Sequence, residues 1–106
     1  MIEITFDPKN FELKVEGHAG QAEHGHDIVC SAVSILFYTL AEALTRSEAM
    51  LKKHPIINIE DGNGYVKCRP IKEYEGNIAR TYWTILVGIE LLAEQYKEFI
   101  NFSVVG

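Results

Sequence analysis

The sequence predicts an α+β domain in the order ββαββαβ, one sheet packed with two helices. Three observations predict it. Apolar and polar residues alternate over residues 2–16, again around 56–69, and again at 100–104. Two longer segments carry apolar residues at helical spacing instead. Clusters of Pro, Gly, Asn and Asp punctuate the chain, with no linker, repeat or low-complexity stretch. Period two puts alternate side chains on opposite faces of a strand, and a 3.6-residue period makes one helical stripe. A single sheet with helices on one face lets every one of these apolar faces share a core. The 106 residues are expected to be one domain, residues 1–106, and strand order is not readable from the pattern.

Ile2, Ile4 and Phe6 share a face, and Phe11, Leu13 and Val15 repeat the pattern. Asp7-Pro8-Lys9-Asn10 between them suits a type I turn, so residues 2–16 should form an antiparallel hairpin. Residues 17–27, GHAGQAEHGHD, have no period and should be a loop. Asp27 should cap a first helix whose stripe begins Ile28, Val29, Ala32, Val33, Leu36, Phe37 and Leu40 and which runs toward Met50 or Leu51. Ile56–Glu60 and Tyr65–Arg69 read as strands joined by the turn Asp61-Gly62-Asn63-Gly64. Asn77 should cap a second helix with Ile78, Tyr82, Ile85, Leu86, Ile89 and Leu92 on its inner face. Ile100, Phe102 and Val104 form the last strand.

Lys+Arg number 10 against Asp+Glu 15, a net charge of −5. That balance, with no basic stripe, excludes a general nucleic-acid binder. Met1-Ile2-Glu3-Ile4 has no basic, apolar leader pattern. The uncharged stretch from Ile28 to Ala41 is shorter than the ~20 residues a bilayer requires. A cytoplasmic protein with two reduced thiols, Cys30 and Cys68, and no membrane partner is the expectation.

Cys30 falls at the start of the first helix, where unpaired N–H groups and the helix dipole favour a thiolate. His18 lies twelve residues earlier, across a glycine-bearing loop able to fold back. A cysteine and a histidine within hydrogen-bond reach are the minimum for thiol nucleophilic catalysis. Ser34 stands one turn beyond Cys30 on the same helix face. By themselves these residues also fit a bland reading: a cysteine in an apolar helix is usually a small buried hydrophobe. Cys68, alternating with Val66, reads as core. His18, Glu23, His24, His26, Asp27 and Cys30 are all metal-ligand types, but their spacing fits no usual pair of ligand knuckles, so no metal or other cofactor is expected.

The string GHAGQAEHGHDIVCSAVS resembles the signature of the ribosomal-processing cysteine protease family. The match rests on Gly17-His18-Ala19, Gly25, Asp27-Ile28-Val29-Cys30, Ala32 and Ser34, with the His-to-Cys interval intact. Ile85-Leu86-Val87-Gly88-Ile89 and Glu94-Gln95-Tyr96 are similar as well, and the resemblance runs end to end. It implies a small homodimeric cysteine endopeptidase that removes an N-terminal extension from a large-subunit ribosomal protein precursor. It implies His18 and Cys30 as the catalytic pair, with Asp27 and Ser34 in support. Ser31 stands where the family more often has Ala, and Phe37-Tyr38-Thr39 is bulkier than its usual residues. Ser31, Phe37 and Tyr38 are the candidates for substrate contact, with Tyr82 and Trp83 as further aromatic candidates for an apolar subsite. Backbone N–H groups of Cys30 and Ser31 would hold the oxyanion. The competing reading is a non-catalytic ribosome-assembly factor that binds a basic ribosomal protein through its acidic surface.

Overall fold

The computed structural model describes residues 1–17, 26–60 and 62–106, apart from the side chains of His26 and Asp27. Strands β1 (Ile2–Asp7) and β2 (Glu12–Glu16) pair antiparallel, as their alternation predicts. Helix α1 (His26–Arg46) follows, then β3 (Ile56–Glu60), β4 (Asn63–Lys67), helix α2 (Glu75–Gln95) and β5 (Ile100–Val104). The sheet runs β3-β4-β2-β1-β5. All neighbours are antiparallel except β1 and β5. Ile2, Ile4, Phe6, Leu13, Val66 and Ile100 line the inner face, and both helices pack there. Val29, Val33, Phe37, Leu40 and Leu44 bring α1 down onto it, while α2 contributes Ile78, Tyr82, Ile85, Leu86 and Ile89. By length and composition α1 is apolar enough to cross a membrane, contrary to the count made on residues 28–41, but its inner stripe is committed to this core.

Several boundaries differ from the sequence expectation, each for a local reason. Phe11 is not in the strand. Asp7 pairs with Glu12, which leaves a four-residue loop, and Phe11 closes it with φ +50°. The Asp7 carboxylate accepts from the Lys9 and Asn10 backbone N–H groups and the Asn10 amide. Chiefly through the Asn10 amide, these bonds hold its pKa below the ordinary value. Asp27 is not the cap of α1, because the helix already begins at His26. Asn77 is likewise inside α2, since a 3-10 turn at Lys72–Tyr74 feeds directly into Glu75. At its other end α1 stops at Arg46, where the Ser47 N–H tightens back to the Leu44 carbonyl and a 3-10 turn, Glu48–Met50, follows. Asn63 and Gly64 belong to β4: Glu60 pairs with Asn63, so the connection is only residues 61–62, and the strand ends at Lys67 just before Cys68.

The left-handed Phe11 is secured from distant parts of the chain. Its carbonyl accepts from the buried Tyr82 hydroxyl at 2.5 Å and from the Cys68 N–H at 3.3 Å. Tyr82 also contacts the Cys68 sulfur at 3.6 Å. Tyr82→Phe should cost about 1–2 kcal/mol, the usual effect of removing one partner of a buried hydrogen bond. A lower urea midpoint with an unchanged m-value is the expected result; an unchanged midpoint would show that the bond contributes nothing.

Candidate active site

Among the described residues, α1 and α2 pack on the sheet and leave the space beside the β3–β4 hairpin uncovered. A groove of about 520 Å³ results, with Cys30, Ser34, Phe37 and Tyr38 on its α1 side. Its other side is built from the β3–β4 hairpin, including Ile59, Glu60 and Gly64. Cys30, Ser34 and Phe37/Tyr38 recur about once per turn, so the groove follows the helix. Cavities of this size commonly hold ligands.

The chain reaches this groove through Gly17, at the end of β2. Its φ is +123°, and a Cβ there would lie 2.3 Å from the Met1 carbonyl oxygen. Its N–H donates to the Gly62 carbonyl at 2.9 Å. Only glycine satisfies both the dihedral and the space. Gly17 thereby ties the exit of β2 to the tip of the β3–β4 hairpin, immediately before the segment that carries His18.

Of the residues singled out from sequence, the structure brings Cys30, Ser34, Phe37 and Tyr38 to one groove. His18 lies outside the described residues, and Asp27 is placed in α1 with its side chain outside them. Ser31 is exposed on α1 and is not among the residues lining the groove. Tyr82 is fully buried against Phe6 and Phe11 in the core under α2, whereas Trp83 is exposed on α2 with its ring edge-on to Phe6, and neither lines the groove. The oxyanion expectation also changes. Only the first four N–H groups of a helix lack an intrahelical partner. With α1 starting at His26, the Cys30 and Ser31 N–H groups fall within its hydrogen-bonded ladder. Gly17, Ile59 and Gly64 were not anticipated as site residues. The signal for Gly64 was present, since Gly64, Val66 and Cys68 alternate in one phase, but the DGNG string reads first as a turn.

The two thiols have different surroundings. Cys30 is half-buried at the groove. Cys68 is 4% exposed in the core, and burial pushes its thiol pKa up, with the Tyr82 hydrogen bond pulling the other way. Iodoacetamide on the native protein should therefore modify Cys30 first and spare Cys68 until urea unfolds the chain. Faster labelling of Cys68 in the native protein would contradict this assignment.

Comparison with known proteins agrees with this architecture. Ribosomal processing cysteine protease Prp of Staphylococcus aureus strain Mu50 is 26% identical over 102 residues, 96% of this chain and 93% of that protein. A crystal structure of the essential ribosomal processing protease Prp from S. aureus, with a covalently linked product peptide, superposes with a TM-score of 0.72 at 25% identity. That match covers 99% of this chain and all of the other. SMU.848 from Streptococcus mutans gives 0.70 at 25% identity, over 98% of this chain and 91% of that one. The family described as cysteine protease Prp matches residues 1–101, and the chain belongs to that family.

Proposed function

We propose that this protease uses Cys30 as nucleophile and His18 as its acid–base partner to remove an N-terminal extension from a large-subunit ribosomal protein precursor. The observation that carries the reading is the placement of Cys30. It sits near the start of α1 on an open groove, while the other cysteine is sealed in the core. The S. aureus relative, a ribosomal processing cysteine protease, and its peptide-bound structure support the substrate class.

The Cys30 thiolate attacks the scissile carbonyl carbon, forming a C–S bond. The C–N bond breaks as the His18 imidazolium gives its proton to the leaving amine. Water, deprotonated by His18, then adds to the thioester, and the C–S bond breaks to release the acid product, which ionises, and to restore the Cys30 thiolate beside the His18 imidazolium. Ser34, one turn along the same groove, is placed to contact the substrate backbone, and Asp27 acts from the first turn of α1. No cofactor enters this scheme.

We place the enzyme in the cytoplasm as a homodimer. Ile28 and Ile35 on α1 and Val87 and Leu91 on α2 leave large apolar side chains exposed. Each pair has helical spacing, and a second copy is the partner that would cover them. Incubation with a ribosomal protein precursor, read by mass spectrometry, tests the proposal. A single cut that frees the extension, lost in Cys30→Ala, is expected. An uncut precursor, or one bound without cleavage, would favour the assembly-factor reading.

A further inference from the structure

Four of the chain's 10 Lys and Arg residues meet at one end of the sheet. In the sequence they stand in two groups, Lys52-Lys53 and Lys67-Cys68-Arg69, with the whole of β3 between them. Backbone pairing brings the groups together. Ile56, at the start of β3, pairs with Lys67 at the end of β4. Leu51 bridges to Pro70, and the Lys52 N–H donates to the Arg69 carbonyl at 2.8 Å. Lys53, His54, Lys67 and Arg69 then line one small hollow of about 50 Å³. Val66 and Cys68 are buried in the core, so Lys67 and Arg69 alternate onto the other face of the sheet.

Nearby carboxylates do not neutralise this cluster. Among the described residues the ion pairs are Arg46 with Glu42 and His54 with Glu48, and neither involves Lys52, Lys53, Lys67 or Arg69. Glu12, the other register partner of Lys67, accepts from the Tyr65 hydroxyl. The far end of the sheet has the opposite sign. There Glu3, Glu16, Asn63 and Glu60 form one row in register, and Glu60 lines the groove that holds Cys30. A polyanion is drawn to one end of this molecule and repelled from the other, which orients the encounter. We propose that Lys52, Lys53, Lys67 and Arg69 form a docking surface for the phosphate backbone of RNA, at the end of the β3–β4 hairpin remote from the groove. The net charge of −5 opposes RNA over the rest of the surface, so the contact is confined to this end. Cations spread over two backbone segments suit a row of phosphates, each contact adding charge neutralisation without reading a base. The choice of RNA among polyanions rests on the ribosomal-protein substrate proposed above, a class of protein that works in contact with RNA. Docking by this end holds the groove away from the RNA and free for protein.

The test measures binding of a labelled single-stranded RNA by fluorescence anisotropy across a salt series, beside cleavage of a short precursor peptide. Four phosphate contacts predict a slope of log Kobs against log[salt] near about −3, roughly −0.7 for each contact. Lys67→Gln with Arg69→Gln should halve that slope and weaken binding roughly tenfold at low salt. Lys52→Gln with Lys53→Gln, on the other segment and exposed, should do the same, so the result does not depend on one pair of substitutions in β4. Lys97→Gln, beyond the end of α2, should leave the slope unchanged. Peptide cleavage should be unchanged in all of these variants, because none of the substituted residues lines the groove. A slope untouched by both double substitutions, or no RNA binding at all, overturns the surface. Polyglutamate bound as tightly as RNA, or phosphatidylglycerol vesicles bound in its place, overturns the choice of RNA. RNA bound with the predicted slope by an enzyme that leaves the ribosomal protein precursor uncut keeps the surface and counts against the proposed substrate instead.

Discussion

Cys30→Ala and His18→Ala should each reduce precursor cleavage by about 10³-fold or more, and the double variant should be little worse than either. Two groups that act in one proton-coupled attack lose their joint contribution once either is gone. The fold should survive both changes. Cys30 is half-buried at a groove and not in the packed interior, so its truncation opens no core cavity. Single-turnover cleavage of the precursor, beside a urea titration of each variant, is the measurement. Multiplicative losses in the double variant would mean that the two residues do not work as a pair.

Gly17→Ala should be strongly destabilising for so small a substitution. A non-glycine residue at φ +123° costs about 1–3 kcal/mol in backbone strain. A methyl group 2.3 Å from the Met1 carbonyl oxygen adds a clash that only movement of β1 or β2 can relieve, costing about 1–3 kcal/mol more. Against a total stability of ~5–15 kcal/mol for a domain of this size, that is a large share. The Tm should fall by about 10 °C or more. Cleavage should fall further than the folded fraction, because the strand exit that leads to His18 is displaced. Gly76→Ala is the control: nothing lies within 4 Å of a Cβ there and the residue is helical. It should be neutral or stabilise by up to about 1 kcal/mol. Equal effects at the two positions would show that Gly17 has no special backbone role.

Periodic patterns made most of the fold legible, because burial on one face leaves a direct trace in residue order. The alternation of Ile2, Ile4 and Phe6 ends in the core as expected, and so does most of the α1 stripe, but its first residue, Ile28, faces outward and is exposed. Features decided by distant contacts left no such trace. Phe11 adopts a left-handed conformation that its own side chain does not favour, because Tyr82 and Cys68 hold its carbonyl. The starts of α1 and α2 were misplaced because Asp27 and Asn77 are good caps in isolation, yet the chain enters each helix earlier. Strand order depends on where α1 and α2 cross the sheet, and both ββ and βα connections are compatible with several orders.

The site was legible on one side. Cys30, Ser34, Phe37 and Tyr38 share a helix, so helical spacing alone groups them, and the resemblance of the surrounding string selects Cys30 among two cysteines. The opposite wall comes from a hairpin about thirty residues later, and nothing local in Ile59 or Gly64 announces a groove. Among the described residues it forms where α1 meets the β3–β4 hairpin, two elements far apart in the sequence.

A precursor peptide carrying a Michael acceptor at the scissile position tests the identity of the nucleophile most directly. Intact-mass and peptide mapping should find one adduct per chain, on Cys30, formed in step with loss of cleavage. Formation should slow strongly in His18→Ala, and Cys68 should stay unmodified. Inactivation with the adduct on Cys68, or with Cys30 left intact, would contradict the account.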